Sequence, residues 1–467
     1  MEDFYLKELI RAINGNFITG DPNLLKQNIS IDSRTIKKGD VYFAIQGSHY
    51  DGHDFIKEAI DKGASAVVYS KNDIITRTKS FSKPPSMIKT NDTLVSLGKL
   101  AKAYKSKFQD IKTVGITGSN GKTTTKEILT SIFSKRGKTL SNKGNFNNRI
   151  GLPLSIFNLT LDIDYAVFEM GTSLHGEIKI LSDIVKPDIG VITNIGFSHL
   201  KTFMSPKSVF EEKQVLFDNV KKCGFIVINK DDKFLRTVSE VANRQIITFA
   251  LDTNADVYAK NIVLCSDKTN FEIFYKKKSV KSSILTKGIF NVANALAAIS
   301  CAISFDFSLE EIKEGIETFV PPKMRMETIV TKNGAVLIND TYNANPSSTR
   351  QAIQAVLQLY TGKKINLILG DMLELGDKSA KYHFELGKFV NNQDIHSINL
   401  FGEMSFNTKK AIDCKNIFYS KDSDGLLKNL EKISVDKDSV FLFKASRGMK
   451  LEEIFTKFYN ILEKKRQ

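Results

Sequence analysis

The chain of 467 residues has no tryptophan, six histidines and four cysteines. The cysteines, Cys223, Cys265, Cys301 and Cys414, stand far apart with no C-x-x-C pair, which excludes a spaced-cysteine zinc site and a disulfide framework. They are expected to be reduced and mostly buried. No apolar run approaches the ~20 residues that span a bilayer, and the opening MEDFYLKELIRAINGNFITG carries acidic charge early and lacks a signal-peptide layout. A cytoplasmic protein without membrane insertion is therefore expected. An aromatic-basic recognition motif is missing too, although the formal charge of +15 favours anionic partners such as nucleotides, phosphorylated substrates or nucleic acid. The lysine clusters at Lys276 to Lys278 and Lys464 to Arg466 are short, and a solvated surface explains them equally well.

What is present is a phosphate cradle. The largely β-branched run Thr113 to Thr117 leads into a loop with Gly118 and Gly121, and Lys122, Thr123 and Thr124 then open a helical pattern. Glycines let such a loop aim its backbone N–H groups inward, and the new helix offers its unpaired donors to an anion. Lys122 is placed to meet β- and γ-phosphates and the Thr123 hydroxyl to ligate Mg²⁺. The strict pattern has glycine five residues before Gly121, where this chain has Ile116. ATP or GTP is the default ligand.

Length and a hydrophobic content of 42% suit roughly three globular domains. The first hundred residues mix short strands and turns, with Ser33 and Arg34 after the run Asn28 to Ile31. That pair can hold a phosphate or a uracil edge, but by spacing alone Arg34 is better read as a surface turn residue. A helix over Asn91 to Phe108 leads onward. Strands at Thr113 to Thr117, Tyr165 to Glu169, Ile189 to Asn194 and Phe225 to Asn229 alternate with helices, which predicts a mostly parallel sheet with ligands at its carboxyl strand ends. Glu169 stands at such an end as a candidate Mg²⁺ ligand. His199 is a second candidate or a metal-free loop histidine. Lys213, beside Glu211 and Glu212, reads as part of a solvated helix face. Asn145, Asn147 and Asn148 belong to a turn-rich connector or a substrate-contacting loop. Asn291 and Asn294 share a helix face and can read an adenine edge, with Asn291 as a plain N-cap the alternative. Pro321-Pro322 marks a boundary, after which strand and helix alternate again and polar sets recur at strand ends near Asp340, Asp371 and Lys444.

The segments TGSNGKTT, NFNNRIGLP, the EMG at Glu169, TNIGFSHL, NVANALAA and PPKMRME together resemble the Mur ligases, ATP-dependent enzymes that add amino acids to the peptidoglycan precursor. NDTYNANPSS, ILGDMLELGDKSAKYH and FKASRGMKLEE resemble the branch of that family joining D-alanyl-D-alanine to UDP-N-acetylmuramoyl-tripeptide, and no DNPR-type segment is present. The resemblance implies an α/β fold in three domains: a small mixed N-terminal domain over residues 1–108 that binds the UDP substrate, a central P-loop domain over 109–320, and a Rossmann-like C-terminal ligase domain over 321–467.

The resemblance also implies roles. Thr117, Gly118, Ser119, Asn120, Gly121, Lys122, Thr123 and Thr124 would hold the ATP phosphates. Glu169 and His199 would ligate two Mg²⁺ ions, and Lys213 would carry a carbamate beside the second. Asn291 would contact adenine, Arg325 the γ-phosphate from across the domain boundary, and Asp340 the ribose side. Tyr342, Asn343, Asn345, Lys444 and Arg447 would shape the dipeptide end, with Ser33 and Arg34 at the uridine diphosphate. The expected chemistry activates the tripeptide carboxylate as an acyl phosphate and then forms the amide, in a monomeric enzyme that closes around its nucleotide. The tripeptide-forming ligase, a folylpolyglutamate synthetase and a nucleotide-regulated nucleic-acid-binding protein are the alternatives.

Overall fold

The structure, a computed structural model, describes residues 2–26, 28–72, 74, 85–413 and 416–464. Cys414, Lys465 and Arg466 lie outside the described residues. Of the other cysteines, only Cys301 is buried, whereas Cys223 is exposed and Cys265 half-buried, so the expectation that most are buried does not hold. All three are free.

Three α/β domains follow one another. The N-terminal sheet has five strands in the order Asn16–Thr19, Ser86–Lys89, Ala66–Tyr69, Val41–Phe43 and Ile29–Ser30, parallel after the first pair. The helix Thr93–Lys105 then carries the chain onward. Asp92 caps it by accepting from the Val95 N–H at 2.9 Å. Its apolar face of Leu97, Leu100, Ala101 and Tyr104 is buried in a core running from Leu6 and Leu9 to Leu152, Ile156 and Leu181.

The central sheet has nine strands in the order Thr139–Ser141, Tyr165–Glu169, Lys112–Thr117, Ile189–Ile192, Phe225–Asn229, Gln245–Ala250, Val257–Leu264, Thr269–Tyr275 and Lys278–Ile284. The first seven are parallel. Helices cover both faces, so the strands read as near-continuous apolar runs such as Ile189 to Ile192. The last two are antiparallel additions that the alternation of strand and helix does not predict. Lys112–Thr117 pairs with Glu169's strand on one side and Ile189–Ile192 on the other. The strand order reverses there, and the glycine loop leaves the carboxyl end of that strand, where α/β sheets bind ligands.

The C-terminal sheet runs Glu327–Val330, Val336–Asn339, Ser439–Lys444, Lys364–Gly370, Ser397–Phe401 and Ile417–Ser420. Only its first strand is antiparallel. Apolar clusters cover both faces. Among the described residues no helix is long and apolar enough to cross a membrane.

Candidate active site at the junction of the central and C-terminal domains

The glycine loop is held in shape before any ligand arrives. Gly121 has φ +81°, and a Cβ there would meet Asn294 Oδ1 at 2.0 Å; Gly118 has φ +150°, and a Cβ would meet Thr193 Oγ1 at 1.9 Å. Neither position admits a side chain. Asn194 acts as a template for the loop: its Oδ1 accepts from the Asn120 N–H at 3.0 Å and its Nδ2 donates to the Asn120 carbonyl at 3.1 Å. Helix Lys122–Phe133 starts directly after Gly121, and Lys122 Nζ donates to the Gly118 carbonyl at 2.8 Å. Burial lowers the Lys122 pKa, opposed by Glu169 and reinforced by Arg325.

Glu169 closes its strand facing this helix and is 2% exposed. Its Oε2 accepts from the Thr123 hydroxyl at 2.8 Å and its Oε1 from Asn147 Nδ2 at 2.7 Å. Two further buried residues, Asn142 of the asparagine-rich loop and Lys126, fix the backbone that carries this carboxylate. Asn142 accepts from the Glu169 N–H at 2.8 Å and donates to its carbonyl at 3.0 Å, while Lys126 Nζ donates to the Asn142 carbonyl at 2.5 Å. The sequence signal for Lys126 is only its position one helical turn after Lys122. Asn142 mimics a neighbouring strand.

The opposite wall comes from the C-terminal domain. Arg325 lies over the Tyr342 ring, 4.1 Å from its centre, and its Nη2 donates to Thr123 Oγ1 at 2.9 Å. Lys444 Nζ donates to Asp340 Oδ2 at 2.5 Å and to the Asn343 carbonyl at 3.0 Å. Asn345 caps helix Pro346–Leu359 through the Ser348 N–H and reaches back to Asn120 Oδ1 at 2.7 Å. His199 Nδ1 lies 2.7 Å from Glu374 Oε2, off the line of a hydrogen bond. The pairing with His199 and its charge hold Glu374 below the usual carboxylate value against the effect of burial.

These walls enclose a cavity of about 420 Å³. Ser119, Asn120, Gly121, Lys122, Thr123 and Thr124 line its central side with Asn145, Asn147, Asn148, Glu169, His199 and Asn291. Arg325, Asp340, Tyr342, Asn343, Asn345 and Lys444 line its C-terminal side. Gln351 and Ser348 join them from helix Pro346–Leu359, a contribution the sequence pattern does not signal.

Six expected residues stand outside the lining, the buried Lys213 among them. Thr117 donates its hydroxyl to the Met170 carbonyl at 2.8 Å behind the loop. Arg447 pairs with Glu452 at 3.1 Å. Ser33 donates to Glu58 at 2.9 Å. The 81% exposed Arg34 side chain is paired with Asp32 at 2.7 Å, which holds that carboxyl near 2. Gly118 offers its carbonyl to Lys122.

Two readings need correction. Asn291 is not an N-cap, because the cap is Gly288, and its Nδ2 donates to Thr286 Oγ1 and the Lys287 carbonyl at 2.9 and 2.7 Å. Lys213 is not on a solvated face. Helix Pro206–Asp218 turns it inward, 1% exposed, while the adjacent Glu212 accepts from the Gly176 and Ile178 N–H groups at 2.7 and 2.9 Å. Burial, with the nearby Lys122 charge, lowers the Lys213 pKa well below the ordinary lysine value.

A one-carboxylate, one-hydroxyl donor set suits Mg²⁺, which keeps several waters and completes its shell with substrate phosphates. Among the described residues no cluster of three or more His, Cys, Asp or Glu could hold a metal without such help.

Known families match this arrangement. The Mur ligase middle domain matches residues 116–302, the Mur ligase glutamate ligase domain matches 324–447 and the Mur ligase family catalytic domain matches 27–106. The chain belongs to the Mur ligase family. This Mur ligase is 33% identical to a Bacillus subtilis protein named UDP-N-acetylmuramoyl-tripeptide–D-alanyl-D-alanine ligase, over 91% of this chain and 92% of that one. The crystal structure of MurF from Acinetobacter baumannii is similar with a TM-score of 0.91 at 29% identity, over 98% of this chain and 99% of that one. The MurF ligase of Thermotoga maritima in complex with ADP gives 0.83 at 29% identity, over 94% and 99%.

Proposed function

We infer that this Mur ligase joins D-alanyl-D-alanine to UDP-N-acetylmuramoyl-tripeptide at the cost of ATP, in cytoplasmic synthesis of the peptidoglycan precursor. The observation that carries the reading is the cavity in which a glycine-loop helix start, Lys122 and Glu169 face Arg325, Asp340 and Lys444 of another domain, in a chain matching ligases of that name along nine-tenths of its length.

The residue roles we assign are those the family resemblance implies, and the geometry supports them where the residues line the cavity. The amides of residues 118–123 and Lys122 neutralise the phosphates, so that an incoming carboxylate meets less repulsion. Arg325 reaches the same place from the other domain and adds positive charge where it develops. Asn291, near Thr286 and Phe319 on the lining, faces the base, and Asp340 the ribose. Thr123, Glu169 and His199 would hold Mg²⁺, which supplies charge neutralisation at the phosphoryl oxygens when bound. The tripeptide carboxylate takes the γ-phosphoryl group to give an acyl phosphate and ADP. The neutral amine of D-alanyl-D-alanine then attacks the carbonyl, and phosphate leaves in place of hydroxide. Tyr342, Asn343, Asn345 and Lys444 form the wall on the dipeptide side, with Arg447 at its edge, and Asn145, Asn147 and Asn148 form the loop nearest the peptide. Ser33 and Arg34 meet the uridine diphosphate, Arg34 by exchanging Asp32 for phosphate oxygens.

Burial and the nearby Lys122 charge favour the neutral amine of Lys213, the form that adds carbon dioxide. We therefore place a carbamate on Lys213. Domain limits at 108/109 and 320/321 suit the linking helix and the Pro321-Pro322 break, and the enzyme is taken to act as a monomer that closes on its nucleotide.

The test is direct. Purified protein with ATP, Mg²⁺, UDP-N-acetylmuramoyl-tripeptide and D-alanyl-D-alanine should release phosphate and give a product heavier by one D-alanyl-D-alanine residue pair. Phosphate release driven by a diamino acid or glutamate in place of the dipeptide would transfer the chain to another ligase of the family.

A further inference from the structure

Lys287 has no part in the reaction above, yet it is 5% exposed and bridges the central and C-terminal domains behind the cavity lining. Its Nζ donates to Thr328 Oγ1 and to Tyr360 Oη, both at 2.8 Å. Thr328 is on the edge strand Glu327–Val330 and Tyr360 ends helix Pro346–Leu359, so both partners belong to the C-terminal domain. The Lys287 carbonyl, by contrast, accepts from Asn291 Nδ2, and Asn291 Oδ1 accepts from Asn294 Nδ2 at 3.1 Å. Asn294 in turn abuts Gly121 of the phosphate loop. The next residue, Gly288, has φ +92°, and a Cβ there would stand 3.2 Å from Ala355 Cβ of helix Pro346–Leu359, so the backbone itself is docked on the C-terminal domain.

The chemistry of the joint makes it releasable. Two neutral hydroxyls receive the ammonium, and among the described residues Asp267 is the one carboxylate whose charge bears on it. An ammonium buried without a paired carboxylate recovers little of its lost hydration. Undocking therefore costs little, and docking can be decided by a ligand.

We propose that Lys287 is a positioning residue through which docking of the C-terminal domain sets the Asn291–Asn294 amide pair, and so the affinity of the cavity for its nucleotide. This rests on the reading that the cavity takes ATP. Neither Thr328 nor Tyr360 lines the cavity; Thr328 also donates to the carbonyl of Met326, which does, so the Tyr360 hydroxyl is the cleaner probe of the Lys287 contact.

Calorimetric titration of full-length protein with MgADP, on Lys287→Ala, Tyr360→Phe and the double variant, tests it. Lys287→Ala should weaken binding about five- to tenfold and Tyr360→Phe by a smaller factor, with the double variant no weaker than Lys287→Ala alone. Small-angle scattering should show less compaction with MgADP in the same order. If Lys287→Ala does not fold, Tyr360→Phe, which removes one hydroxyl, carries the test. Unchanged affinity in the variants, even with a lower melting temperature, or strictly additive losses, would overturn the proposal while leaving the cavity reading intact. Native protein that took up no MgADP would overturn both.

Discussion

At the junction of the N-terminal and central domains, Leu97, Leu100, Ala101 and Tyr104 enter a core that continues without a break into the central helices. At the junction of the central and C-terminal domains the contacts are mainly single polar ones: Arg325 on Thr123, Asn345 on Asn120, Lys287 on Thr328 and Tyr360, and His199 beside Glu374. Phe197, Leu200 and Phe290 are apolar exceptions, packed into the C-terminal core. Apolar burial is non-directional and large in sum, whereas each polar contact across a wet cleft contributes little net. The first junction is therefore a fixed weld and the second a separable dock, and the reacting groups are divided across the dock.

Variants at each junction can break this contrast. The largest effect is expected from Arg325→Ala, which should lower turnover by about 10²–10³-fold with the melting temperature unchanged; a coincident loss of stability would make the dock a second weld. Leu100→Ala, at 4% exposure, should cost about 2–5 kcal/mol in chemical denaturation, and a neutral result would remove the weld. Lys105, buried in the first junction with its Nζ donating to the Phe108 carbonyl, has its pKa lowered to about 8 by burial, with Lys221 adding and Asp188 opposing. Because the folded protein binds this proton less tightly than the unfolded chain, the penalty is full below pH 8 and fades as pH rises toward the ordinary lysine value. Lys105→Met should thus stabilise at pH 7 by roughly 1–3 kcal/mol, with the gain over native protein shrinking by pH 10 in thermal melts. The smallest effect is expected from Asn345→Ala, which removes a cap and one bridge across the dock: a loss on the order of 1 kcal/mol and a few-fold rise in the KM for ATP.

Much of this was legible where one residue type answers to one local need. Gly118 and Gly121 signal backbone that only glycine adopts, and the runs Tyr165 to Glu169 and Ser439 to Lys444 signal strands buried on both faces; both strands have the expected bounds. The added pair Thr269–Tyr275 and Lys278–Ile284 went unread, because Thr269–Tyr275 alternates instead of forming a continuous apolar run and Lys278–Ile284 is mostly serine and lysine. Lys213 misled, and Lys126 passed with little signal, for a related reason. A lysine on a helix reads as solvated, and only packing from distant segments reveals that the helix has no free side there. The pairing of Arg325 with Thr123 spans 202 positions, a distance over which spacing carries no signal; the family resemblance implied only that Arg325 reaches the phosphate end from across the domain boundary.

Asn142 occupies both backbone groups of Glu169, and Lys126 anchors Asn142 in turn. Half of the machinery is consequently assembled at rest, with no ordering left for the substrate to induce. Compounds that imitate the triphosphate would meet a finished mould there, whereas compounds wedged between the two domains would act on the dock instead.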